Sequence, residues 1–95
     1  MHFPQWIDSP RNNKTKRAQL RLKYMLQLAA LNRYGKASVH RIAADAGCDH
    51  SSIFNAIKRG WFTESMALAI ERAVGTSTLQ AAWLINPLEA GQVVA

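Results

Sequence analysis

Apolar residues recur along this chain at three- and four-residue spacing, and nowhere do they alternate over a length useful to a strand. Leu20, Tyr24, Leu28 and Leu31 fall in one helical stripe, and Leu22, Met25 and Ala29 in a neighbouring one. The spacing predicts a long first helix, about 14–34, whose two stripes merge into one broad apolar face. Thr15 is its candidate N-cap and Gly35 its stop. A second helix, 39–46, follows a candidate Ser38 cap, with Ile42, Ala43 and Ala46 on its inner face. A third, 50–59, follows Asp49, and Ile53, Ala56 and Ile57 form its inner stripe. Thr63 opens a fourth helix, 63–74, that buries Met66, Ala69, Ile70, Ala73 and Val74 and ends at Gly75. Thr76 or Ser77 opens a short fifth, 77–85, holding Leu79, Ala82 and Trp83 and closed by Asn86-Pro87. The expected class is all-α: a compact five-helix domain over 14–87, with an arm at 1–13 and a tail at 88–95.

Residues 39–60 carry the most specific pattern. Two short helices meet around Gly47, where a helix end takes a left-handed residue. Ala43, four residues earlier, is small enough for a close helix crossing. Cys48 follows at a place that takes a small apolar group, and Ile53 plugs the angle between the helices. This is a helix-turn-helix pattern, the unit that lays its second helix in the DNA major groove. The plain structural alternative is a helical hairpin with no nucleic-acid role.

Charge adds to that picture through its distribution. Residues 11–36 hold Arg11, Lys14, Lys16, Arg17, Arg21, Lys23, Arg33 and Lys36 and no acid, within a chain of net charge +6. Lys14, Arg17 and Arg21 are spaced to project together near the start of the first helix. Cations there oppose the helix dipole, so phosphate contact is the expected reason for them. A solvated helix face is the alternative. In the arm, Pro4 and Pro10 break helix. Trp6 and Ile7 are expected to dock on the body or on a partner, the alternative being a basic arm along DNA. Trp61 and Phe62 are expected in the core.

The third helix should present His50, Ser51, Ser52 and Asn55 to base edges, because its N-terminal half enters the groove. Arg17, Arg21, Arg41, Lys58 and Arg59 are the candidate phosphate contacts. His40, Cys48 and His50 do not make a convincing zinc set, since no second cysteine exists and Cys48 takes a core place. No catalytic constellation or phosphate loop is present, so neither an enzyme nor a cofactor is expected. One cysteine, no signal-peptide pattern and no membrane-length apolar run lead us to expect a cytoplasmic protein.

From Ile42-Ala43 through Gly47 and Ile53, then Ala-Leu-Ala-Ile-Glu-Arg-Ala-Val-Gly (67–75) and Ala-Trp-Leu-Ile-Asn-Pro (82–87), the chain resembles the phage Cro and repressor group of helix-turn-helix regulators. The resemblance covers about 18–87. It implies a compact five-helix domain, operator binding, and a homodimer on a palindrome, with DNA contact from His50, Ser51, Ser52 and Asn55. Two features depart from the pattern. The N-terminal segment is long, and Phe54 stands where a small polar residue is more usual. Phe54 either meets a thymine methyl or packs inward and rotates the helix. The expected function is thus a sequence-specific double-stranded-DNA-binding transcriptional regulator, a repressor of phage or mobile-element type. An antitoxin-like protein-interaction module and an RNA-binding basic segment are the other two readings. The RNA reading lacks aromatics between Arg11 and Lys23 on which bases would stack.

Overall fold

The structure, a computed structural model, describes residues 3–90. The tail contact expected of Val93 and Val94 lies outside them. Five helices follow in order: α1 Lys14–Tyr34, α2 Val39–Ala46, α3 His50–Arg59, α4 Glu64–Val74 and α5 Ala81–Ile85. A 3-10 turn follows at Pro87–Glu89. No strand occurs among the described residues, so the class is all-α, as expected. No helix among them is long and apolar enough to cross a membrane.

Most helix ends are where local chemistry puts them. Asn13, not Thr15, caps α1: its Oδ1 accepts from the Lys16 N–H at 2.8 Å. Asp49 caps α3, accepting from the Ser51 N–H. Ser38 and Thr63 precede α2 and α4 without a side-chain cap bond. Gly47 ends α2 at φ 73°, and its N–H donates to the carbonyls of Ala43 and Ala44. The α2–α3 turn therefore requires a left-handed residue. The fifth helix starts four residues later than its apolar pattern suggests. Residues 76–78 form a turn, and Glu71 Oε2 accepts from the Ala81 N–H at 3.0 Å. That bond satisfies one of the free donors at the start of α5 and fixes the helix there.

Packing corrects the face assigned to α1. The buried side chains are Ala18, Leu22, Met25, Leu26, Ala29 and Ala30. Leu20, Tyr24 and Leu28 are only half-buried, and Leu31 is 50% exposed. The two stripes are therefore one inner face and one outer face, not a single broad one. Small alanines on the inner face let α2, α3 and α4 approach α1. Around that face Ile42, Ala43, Ile53, Ala56, Phe62, Ala67, Ile70, Val74, Leu79 and Leu84 close one continuous core. On α5 the inward residues are Ala81 and Leu84, and Ala82 faces out. Trp61 and Phe62 part company. Phe62 is fully buried and its N–H donates to the Leu84 carbonyl at 3.0 Å, whereas Trp61 is 48% exposed. Burial of a phenylalanine of this kind is worth about 3–5 kcal/mol on truncation. Among the described residues the core contains no buried polar or charged side chain.

The arm belongs to the body. Ile7 is fully buried, Phe3 meets Tyr24 edge-on at 5.8 Å, and the Asn12 amide donates to the carbonyls of Trp6 and Ile7. Arg21 fastens it. Its Nε and Nη2 donate to the two Asp8 carboxylate oxygens at 2.9 and 3.0 Å. Its Nη1 donates to the carbonyls of Pro87, Leu88 and Ala90 at 3.0–3.2 Å. Phe3 lies 4.4 Å beneath the guanidinium. All three guanidinium nitrogens are engaged, so Arg21 is a structural clamp and not a free cation for phosphate. The clamp also extends the packed body through Ala90, past the expected boundary at residue 87.

Two outcomes follow. Arg21→Ala should cost about 1–3 kcal/mol in urea unfolding, below the 3–5 of a fully buried pair because Asp8 is one-third exposed. Arg21→Lys should fail to restore it, since an ammonium cannot make the fork; a lysine variant as stable as the parent would refute the clamp. Gly47→Val should cost about 1–3 kcal/mol, because a β-branched residue resists the left-handed region. Full stability in that variant would mean that the turn is placed wrongly.

Candidate nucleic-acid interface

The face of α3 follows from its register. Ile53 and Ala56 point into the core, so the opposite ridge is Ser51, Phe54, Asn55 and Lys58, all exposed. His50 is also exposed, on the flank toward α2. Ser52 lies on the other flank and is half-buried, so it is the least available of the four expected base contacts. Phe54 points outward, 44% exposed, so it does not pack inward and rotate the helix.

His50 does not stand alone. Its ring lies 4.3 Å from that of His40, the second residue of α2, tilted by 41°. Phe54 stands edge-on to both, at 5.8 Å from His40 and 6.2 Å from His50. His40, missed as a site residue by the sequence reading, thus joins the outer surface through the α2–α3 crossing. Ten residues of separation give no local signal of that contact. Cys48 turns toward the core, and burial, with the Asp49 charge, pushes its thiol up and keeps it protonated. No three His, Cys, Asp or Glu side chains converge as a metal site among the described residues.

The acids near this surface are committed. The Asp49 carboxyl is held below its usual range by hydrogen bonds from the Ser51 hydroxyl and backbone N–H. Asp45 Oδ2 accepts from the Tyr34 hydroxyl at 2.6 Å. Arg41 lies 5.0 Å over the same Tyr34 ring, exposed beside the start of α2. Tyr34 therefore props Arg41, a role that sequence periodicity does not reveal.

The cations fall in two places. Lys58 and Arg59 end α3, where positive charge also suits the helix dipole. Gln19 of α1 donates to the Lys58 carbonyl at 2.7 Å, which seats the start of α1 beside the end of α3. Lys14 and Arg59 consequently border one shallow surface groove with Trp61. Arg59 lies 4.2 Å over the Trp61 ring and donates from Nε to its carbonyl at 3.2 Å. Arg17 is half-buried, its Nε donating to the Asn12 carbonyl at 3.2 Å. The basic edge thus combines Lys14 with Lys58 and Arg59, in place of the expected Lys14, Arg17 and Arg21.

What this defines is an all-α, five-helix domain with an exposed polar and aromatic helix face next to a basic edge. No protein-family model matches the chain, and neither a curated protein nor a solved structure does.

Burial, the Tyr34–Asp45 hydrogen bond and the Asp45 charge push the Tyr34 phenol up to about 12. A raised folded value means that the folded state holds the proton more tightly. The stabilisation is complete below the unfolded phenol value near 10 and is lost as pH rises toward about 12. Tyr34→Phe should flatten that alkaline decline in a urea-midpoint series. An unchanged decline would assign it to another group.

Proposed function

We propose that this chain is a sequence-specific double-stranded-DNA-binding transcriptional regulator, a Cro-like repressor of phage or mobile-element type, cytoplasmic, acting as a homodimer on a palindromic operator. The observation that carries the reading is the outer face of α3. His50, Ser51 and Asn55 offer hydrogen-bonding groups there, the adjacent Asp49 is tied up as a helix cap, and a basic edge lies at the helix's far end. In this reading α3 enters the major groove. Asn55 pairs with adenine N6 and N7, and Ser51 and His50 bond further base edges. Arg41, Lys58 and Arg59, with Lys14 beside them, meet phosphate and fix the register. Arg17 adds a further phosphate contact through the two terminal nitrogens of its guanidinium. A dimer sets two α3 helices about one helical turn apart. The chemistry is binding, with no catalysis and no cofactor.

A second reading has its own observation. Trp6 is 62% exposed and Leu31 50%, and Leu20, Tyr24 and Leu28 lie half-exposed between them along α1. Such a stripe suits a protein partner, as in an antitoxin-like interaction module.

Selection of bound duplexes from a random pool at near-physiological salt separates the two. A palindromic consensus supports the dimeric regulator, and no enrichment moves the weight to the protein-interaction module. On the selected duplex, Asn55→Ala should lose about 1–3 kcal/mol of discrimination at one base pair with the fold intact. Equal weakening on every sequence would remove Asn55 from base reading. Lys58→Ala should weaken all sequences alike and lower the salt slope by about 0.9. A slope that stays put would exclude a phosphate contact there.

A further inference from the structure

Phe54 is the one large apolar side chain that α3 exposes. Its surroundings differ from those of Trp6 and Leu31 on the α1 side. Trp6 and Leu31 adjoin further apolar side chains on α1, the pattern of a surface for protein. Phe54 is instead an isolated apolar point on a polar face. Ser51, Asn55 and Lys58 are its exposed neighbours on the helix, and the His40 and His50 rings stand to one side. A protein hot spot is a larger apolar centre with a dry rim, which this point does not provide.

The pattern fits the edge of one base. Thymine alone among the four DNA bases carries an apolar group in the major groove, the C5-methyl, and beside it the O4 acceptor. We propose that Phe54, held edge-on by the His40 and His50 rings, seats the 5-methyl group of a thymine and so fixes one T·A pair in each half-site. The proposal rests on α3 being the base-reading helix. His50 can supply a ring N–H next to the Phe54 ring, where the neighbouring O4 needs a donor. His40 is a positioning residue. Its ring, 4.3 Å from His50 and 5.8 Å from Phe54, restricts the rotamers of both. An unsupported phenylalanine would lose that freedom only on binding, at a cost in affinity.

The test uses the full chain and the duplex selected from a random pool. Each thymine in turn is replaced by deoxyuridine, which removes the methyl and leaves every hydrogen-bonding group. In the parent protein one position per half-site should weaken by about four-fold, the worth of one buried methyl-sized group. That loss should vanish in Phe54→Ala and persist in Phe54→Leu, which keeps an apolar side chain there. In His40→Ala the methyl effect should shrink while unfolding stability stays unchanged, since His40 is exposed. A selected sequence in which no thymine is sensitive overturns the proposal and leaves the DNA-binding reading standing. A sensitive thymine that responds equally in the parent and in Phe54→Ala assigns the methyl to another residue, which also overturns it. A pool that yields no sequence at all overturns the DNA-binding reading together with this one.

Discussion

A single guanidinium joins the two ends of the described chain to α1. Arg21 spends its fork on the Asp8 carboxylate and on three carbonyls of residues 87–90, with Phe3 against its face. Arginine suits this task because its donors are planar and fixed, so one side chain satisfies acceptors that diverge in direction. The 3-10 turn aims three carbonyls at α1, of which that of Pro87 also accepts from the Ala90 N–H within the turn, and burying such acceptors without enough donors would be costly. With the clamp in place Ile7 enters the core from one side and Ala90 from the other, and both are buried. The inner face of α1 is thereby covered at both ends, and its outer stripe is left to solvent.

The same residue marks what composition conceals. Read by charge, Arg21 is one member of a basic block, indistinguishable from Lys14 or Arg17. Its difference lies in Asp8, the single acid of the N-terminal third, thirteen residues away in sequence. Helix identities were legible because each depends on local chemistry, such as the glycines that follow α1, α2 and α3 and the Asp49 cap. The burying face of α1 was not. Two adjacent stripes of apolar residues satisfy the helical period equally, and only tertiary packing chooses the one with Ala18, Ala29 and Ala30. Trp61 and Phe62 present the same ambiguity in its shortest form. Adjacent large apolar residues after a helix cannot both face inward, and the smaller ring takes the core.

The candidate site divides in the same way. The exposed ridge of α3 follows from its apolar period, so Ser51 and Asn55 could be placed from sequence, and Ser52 was misplaced by one flank. His40 and Tyr34 reach the surface only through helix crossings, and no spacing rule connects them to His50 or Arg41. Gln19 is likewise silent in sequence, yet its bond to the Lys58 carbonyl ties the register of α3 to α1. The basic edge is therefore a product of packing, assembled from cations forty-five residues apart at Lys14 and Arg59.

The composition of the core sets how this molecule meets temperature. With no polar side chain buried among the described residues, cohesion inside comes almost wholly from withdrawing hydrocarbon from water. That force is entropic near room temperature and fades on cooling, and unfolding raises the heat capacity because it exposes hydrocarbon. The free energy of such a domain is an arch over temperature, and its cold flank is set mainly by hydrocarbon.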